Sequence, residues 1–80
     1  MAVRQVVSHL PGIFYQRPSP DEPAFKQPGD MVAAGDVLGL VEIMKSFHEI
    51  KSEGAGRLAR YHLGNGEEVA PGQVIADIEG

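Results

Sequence analysis

The sequence predicts a small all-β barrel or sandwich made of two similar halves, and three observations carry that prediction. Ten Gly and six Pro divide the 80 residues into brief segments. No window keeps apolar residues at i, i+3, i+4 and i+7 through three turns, so no long helix is expected. Short apolar runs punctuated by Gly-rich turns are the pattern of a compact β domain. The third observation is an internal repeat. At an offset of 37, Gly29–Leu38 overlays Gly66–Ile75, with identities at Gly29/Gly66, Val32/Val69, Ala33/Ala70, Gly35/Gly72 and Val37/Val74. Val41/Ile78 and Glu42/Glu79 continue the match. Earlier in each half the offset is 44, aligning Val6/Ile50, Ser8/Ser52, Gly12/Gly56 and Phe14/Leu58. The offsets differ by seven, so the first half carries seven extra residues between Gly12 and Gly29.

The elements follow in order. Val3 to Ser8 reads as a strand, His9-Leu10-Pro11-Gly12 as a turn, and Ile13-Phe14-Tyr15 as the start of a second strand. Arg17 to Ala24 is a proline-rich excursion whose three prolines exclude helix and central strand. Gln27 to Asp30 turns into Met31-Val32, and Gly35-Asp36 turns into a strand from Val37 to Val41. Phe47 to Lys51 and Arg57 to Tyr61 are strands separated by Gly54-Ala55-Gly56. After Gly64-Asn65-Gly66 come Glu68-Val69 and Val74 to Ile78. The repeated glycines mark tight turns, and Gly35 and Gly72 are expected to occupy equivalent ones with positive φ.

Composition bounds the function. Residues 1–80 make one domain, at the small end of what folds alone. Eleven acidic against seven basic residues give a net charge of −4, which argues against nucleic acid as a partner. The absence of Cys removes disulfides, thiolate metal sites and cysteine nucleophiles. No apolar run has the length of a membrane span, so no membrane association and a cytoplasmic setting are the default expectations. His9, His48 and His62 lack metal-ligand spacing. Asp21-Glu22 reads as a solvated loop pair, Gly64-Asn65-Gly66 is too short to cradle phosphate, and no serine lies in a nucleophile elbow. The chain is therefore expected to be non-catalytic.

One stretch stands out against this background. Between Val41 and Ile50 two strand-like runs meet at Met44-Lys45 without the Gly, Asn or Asp that two-residue turns favour. Leu38, Leu40 and Val41 supply apolar mass before the apex, Phe47 and Ile50 after it. A lysine there presents its amine away from the body, a geometry suited to covalent modification by another protein.

Glu42-Ile43-Met44-Lys45 resembles the Glu-Ala-Met-Lys-Met hairpin of the biotinyl domains, the biotin carboxyl carriers of acetyl-CoA carboxylase in particular. Gly12-Ile13-Phe14-Tyr15 followed by Pro18-Ser19-Pro20-Asp21 resembles the approach to that family's protruding thumb, and the seven-residue excess agrees with it. The resemblance runs from about Val6 to Glu79. It implies a flattened barrel of two four-stranded antiparallel sheets with quasi-twofold symmetry and a thumb insertion. It also implies biotin on Lys45, and a biotin protein ligase that reads Glu42, Met44 and Ser46. A thumb of Arg17, Pro18, Ser19, Pro20 and Asp21 would follow, with a biotin carboxylase and a carboxyltransferase as further partners in fatty acid synthesis. The chain departs from the family at Ser46, where Met is usual, at Ile43, where Ala is usual, and at Arg17, where a small hydroxyl residue is usual. The family's usual carriers also have an N-terminal extension with a flexible linker, which these residues do not include. A lipoyl carrier shares the shape, but it has Asp before the lysine, Ala after it, and no thumb. An unmodified interaction domain of the same shape is the remaining alternative.

Overall fold

Gly-punctuated short strands pair as the repeat requires in the computed structural model, which describes residues 2–80 and leaves only Met1 of the expected 1–80 domain outside the described residues. The strands are β1 (Val3–Val7), β2 (Gly12–Tyr15), β3 (Met31–Val32), β4 (Val37–Ile43), β5 (Ser46–Lys51), β6 (Gly56–Tyr61), β7 (Glu67–Val69) and β8 (Val74–Glu79). They form two four-stranded sheets, β1-β8-β6-β3 and β5-β4-β2-β7, with every pairing antiparallel. Among the described residues no helix is long and apolar enough to cross a membrane.

The two sheets exchange under the repeat: β1 corresponds to β5, β8 to β4, β6 to β2 and β3 to β7. Register repeats as well. Val6↔Ala76 has its counterpart in Ile50↔Gly39, Leu58↔Ile78 in Phe14↔Val41, and Val32↔Gly56 in Val69↔Gly12. Each half contributes two strands to each sheet, so the halves are interleaved and neither is a layer by itself.

Alternation along the strands sends Phe14, Leu38, Val41, Leu58, Ile75 and Ile78 into a core where all are essentially fully buried. The halves differ there by a compensating pair. Phe14 stands where Leu58 stands in the second half, and Gly39 where Ala76 stands. A Cβ on Gly39 would lie 2.5 Å from Phe14 Cε1, so the larger ring is accommodated by the missing methyl. Tyr61 packs on Phe14 with ring centroids 6.1 Å apart. Its hydroxyl donates toward the carbonyls of Leu38 at 2.8 Å and Lys26 at 3.0 Å, and burial pushes its pKa up to about 12.

The predicted glycine turns are present. Gly35 has φ 90° and Gly72 φ 83°. Gly35 donates its N–H to Ser52 O at 2.8 Å, and Gly72 donates to Ser8 O at 2.6 Å. Ser8 and Ser52 are themselves buried, and their hydroxyls donate to Leu10 O at 2.7 Å and Gly54 O at 2.6 Å. At the hairpin end the last pair of β4 and β5 is Ile43↔Ser46. Its symmetry counterpart is Gly80 with Ala2, where Gly80 N–H donates to Ala2 O at 3.1 Å.

One expectation about packing is corrected. Phe47 does not add apolar mass to the core as Ile50 does: it is 56% exposed, while Ile50 is buried. Phe47 pairs with Glu42, whereas the inward pair is Gly39↔Ile50, so strand alternation puts Phe47 on the outer face.

Candidate functional site

Strand β4 is held on both sides, by β5 and by β2, and Leu38 and Val41 anchor it in the core. The β4–β5 turn is therefore fixed to the most buried part of the molecule. Only Met44 and Lys45 lie between the closing pair Ile43↔Ser46. Met44 has φ 49° and Lys45 φ 68°, the only non-glycine residues in the left-handed region among the described residues. A two-residue hairpin turn of the favoured handedness needs positive φ at both central residues, and here side-chain-bearing residues meet that need. Each left-handed L-residue costs roughly 1–2 kcal/mol. Local strain of this kind persists where the surrounding structure over-determines it, and it clusters at functional sites.

The apex is open to solvent. Met44 is 93% exposed, and Lys45 and Ser46 are exposed too. Of the other cations, Lys26 meets Asp36 at 3.3 Å, Lys51 meets Glu49 at 3.7 Å, Arg57 meets Glu79 at 3.0 Å and Arg60 meets Asp77 at 3.1 Å. Among the described residues Lys45, Arg17 and Arg4 have no carboxylate within ion-pair distance.

The proline-rich excursion leaves the barrel beside this hairpin. Its base is closed where Phe25 N–H donates to Gln16 O at 2.9 Å, and a turn inside it is closed by Glu22 N–H on Ser19 O at 3.2 Å. Gln16 is fixed from the second half: its N–H donates to Asn65 Oδ1 at 2.6 Å and its Nε2 to Leu63 O at 2.8 Å. Arg17, Pro18, Ser19 and Pro20 face Tyr15, Glu42, Phe47 and Asn65 across a groove of about 300 Å³. Tyr15 hydroxyl donates to Glu42 Oε1 at 3.3 Å. Partial desolvation, then the neighbouring Glu42 carboxylate, raises the Tyr15 pKa above its ordinary value.

Of the residues singled out from the sequence, the structure brings Arg17, Pro18, Ser19, Pro20 and Glu42 to one groove. Lys45, Met44 and Ser46 sit at the hairpin tip beside it, and Asp21 lies on the exposed outer turn of the excursion. Sequence reasoning missed Asn65, whose flanking glycines mark a turn but carry no sign of a bond to Gln16. It also missed Phe47 as a groove residue. Among the described residues no group of three or more His, Asp or Glu is placed to hold a metal ion.

A family profile described as biotin-requiring enzyme matches residues 4–78. The chain is 45% identical over 70 residues to the biotin carboxyl carrier protein of acetyl-CoA carboxylase of Chlamydia muridarum, covering 88% of this chain and 43% of the relative. It is 35% identical over 74 residues to the protein of the same name from Porphyra purpurea, covering 92% and 47%. The chain thus spans under half the length of these relatives. The crystal structure of the Kluyveromyces lactis urea carboxylase superposes with a TM-score of 0.80 at 25% identity, covering 99% of this chain and 6% of that one.

Proposed function

Since the chain belongs to the biotin/lipoyl attachment family of biotin-requiring enzymes, we propose that it is a carrier which takes biotin on Lys45 and presents it to the active sites of an acyl-CoA carboxylase, acetyl-CoA carboxylase foremost. The observation that carries this reading is an exposed, unpaired lysine in a two-residue turn held in left-handed conformation. In the loading step a biotin protein ligase supplies biotinyl-adenylate. The free amine of Lys45 attacks its acyl carbon, an amide forms, AMP leaves and the amine loses a proton. Glu42, Met44 and Ser46 flank the lysine on the surface that the ligase meets.

Biotin, once attached, supplies a ureido nitrogen that carries a carboxyl group between a biotin carboxylase and a carboxyltransferase. The chain's own contribution is positional. The lysine side chain and biotin's acid arm together span on the order of 15 Å, by counting standard bond lengths. A rigid hairpin at the base of that tether raises the local concentration of the carried group at each site. No side chain of the chain acts as acid, base or nucleophile in those transfers, and the encounters take place in the cytoplasm. The thumb residues Arg17, Pro18, Ser19 and Pro20 border the space beside the tether's base, with Asp21 on the turn beyond them.

Intact mass spectrometry of protein co-expressed with an active biotin ligase tests this directly, with one biotin adduct expected. A lipoyl adduct would assign the chain to the sister carriers, and no adduct would make it an unmodified domain of the same shape. Lys45→Arg is expected to abolish the adduct. Lys26 and Lys51 serve as internal controls because neither sits at the apex of the paired strands; stoichiometric biotin on the Lys45→Arg protein would refute the assignment.

A further inference from the structure

The two halves of the barrel hold each other, and a single short connection decides whether both come from one chain. Four strand pairings join the first half to the second: β1 with β8, β2 with β7, β3 with β6 and β4 with β5. Only β2–β4 and β6–β8 lie within a half. Other contacts cross in the same way. Tyr61 packs on Phe14, Asn65 accepts from the Gln16 N–H, Gly35 donates to Ser52 and Gly72 donates to Ser8. None of these requires the halves to belong to the same polypeptide. Every other strand connection runs within a half, so Met44-Lys45 alone makes the barrel unimolecular.

That connection is also the strained one, with Met44 at φ 49° and Lys45 at φ 68°. The strain comes from reversing the chain within two residues, and it disappears once they extend. Their extended form has a place to go. Behind the turn the pairs are Leu40↔Glu49, Val41↔His48, Glu42↔Phe47 and Ile43↔Ser46, one residue advancing on β4 for each one receding on β5. The next pairs in that register are Met44 with Lys45 of a second copy, and Lys45 with that copy's Met44. Two linking residues per chain thus fill the ladder between two lobes without a gap or a bulge. β4 and β5 then run on as one strand from Val37 to Lys51, paired with its own copy across a twofold axis. Short hinge loops under strain invite exchange of this kind.

We infer that this chain forms a homodimer by exchange of halves, in which residues 2–43 of one copy complete a barrel with residues 46–80 of the other. The partner is a second copy of the chain, and the interface is the one that already holds the barrel together. Both lobes keep the core and every cross-half contact named above, and each chain sheds two left-handed residues. Against this stands the freedom lost on association, so protein concentration sets the balance. Four strand pairings must part before halves can be exchanged, so monomer and dimer interconvert by unfolding, and slowly. In the dimer Lys45 lies midway along a paired strand instead of at an apex. Exchange therefore withdraws the lysine from modification, a consequence that rests on the carrier reading above; the exchange itself does not.

The chain has no Cys, so an introduced disulfide can report which copy owns each half. Val3 and Glu79 are Cα partners from opposite halves. The Val3→Cys/Glu79→Cys protein is unfolded, refolded under reducing conditions at micromolar to millimolar concentration, separated by size and then oxidised. A dimer fraction should grow with the refolding concentration and run as a covalent dimer on a non-reducing gel, while the monomer fraction runs as single chains. Adding Met44→Asn/Lys45→Gly should lower the dimer fraction at least about tenfold, because the turn then holds no strain. Deleting Met44 and Lys45 leaves no residue to turn, yet Ile43 continues into Ser46 in the same register, so that protein should be dimeric throughout. With a purified biotin protein ligase, isolated dimer should take up no biotin in the time that saturates the monomer. A dimer whose disulfides lie within single chains, or a wild type monomeric at every refolding concentration, would overturn the exchange. So would a folded monomer of the deletion variant, or an Asn-Gly variant that dimerises as readily as wild type. Dimer that takes up biotin as fast as monomer would overturn the withdrawal of Lys45. Monomer that accepts no biotin would refute the carrier reading instead, and the gel decides the exchange in either case.

Discussion

Replacing Met44-Lys45 by Asn-Gly is expected to make the domain more stable while abolishing its modification. Both residues are left-handed, at φ 49° and 68°, and each costs roughly 1–2 kcal/mol relative to a residue that adopts this conformation freely. Asn tolerates the left-handed region and Gly adopts it without a Cβ clash, which makes the pair the preferred filling of such a turn. Gly gives back part of the gain, about 0.4–1 kcal/mol, through the greater freedom of the unfolded chain. Little packing is lost, because Met44 is 93% exposed and Lys45 is exposed. The net gain is about 1–3.5 kcal/mol, and about 4–8 °C in the thermal midpoint for each kcal/mol in a domain of this size. Urea melts of wild type, the Asn-Gly variant and Met44→Ala measure it. Met44→Ala removes the same exposed side chain but keeps a Cβ, so its stability should stay within about 0.5 kcal/mol of wild type. An Asn-Gly variant no more stable than wild type, or a Met44→Ala variant that gains as much, would refute the argument that the turn holds strain.

Further outcomes follow from the symmetry and the ion pairs. Gly35→Ala and Gly72→Ala should each lose roughly 1–2 kcal/mol by equilibrium melting, since a Cβ added at either position would meet nothing within 4 Å and only the backbone conformation penalises the change. In a biotin-uptake assay Gly35→Ala should be slowed and Gly72→Ala spared, because only Gly35 opens the strand that leads to Lys45. Deleting Pro18 to Ala24 should leave the barrel folded, with a stability change well under about 1 kcal/mol from loop closure. A collapsed thermal midpoint would show that the excursion supports the core. The His62 ring 2.9 Å from Oδ1, and then Arg60, hold the Asp77 carboxyl below its usual 3.8 against the opposing effect of burial. Its contribution is complete above that value and is lost as pH falls through the lower folded value. Stability measured from pH 5 down to pH 2 should therefore fall more steeply in wild type than in Asp77→Asn, within roughly that acid window.

Much of this architecture is legible in the sequence because its determinants are local. Strand spacing and glycine placement located all eight strands to within two residues, and the offsets of 37 and 44 carried over into cross-strand register. Gly35 and Gly72 announced left-handed turns because no other residue occupies them cheaply. The hairpin announced itself by contradiction, a tight connection without turn residues, but the sequence alone does not say that Met44 and Lys45 absorb the unfavourable φ. What stayed hidden depends on contacts distant in sequence. Asn65 holds Gln16 across 49 positions, and Phe47 reads as core by composition yet faces outward by register. The His62–Asp77–Arg60 cluster likewise emerges only once β6 and β8 lie side by side.

Interleaving of the halves also bears on how such a molecule can arise. β1 and β3 pair only with β8 and β6, so the first half alone would leave both strands without partners. A chain of half this length reaches the fold only as an intertwined homodimer of two identical peptides. Converting that homodimer to one polypeptide requires a single link between the closing residues at one end, Ile43 and Ser46, while their counterparts Gly80 and Ala2 stay unjoined at the other. Met44-Lys45 is that link. Lys45, the side chain proposed for modification, thus stands on the seam of fusion, a place with no twin in the other half.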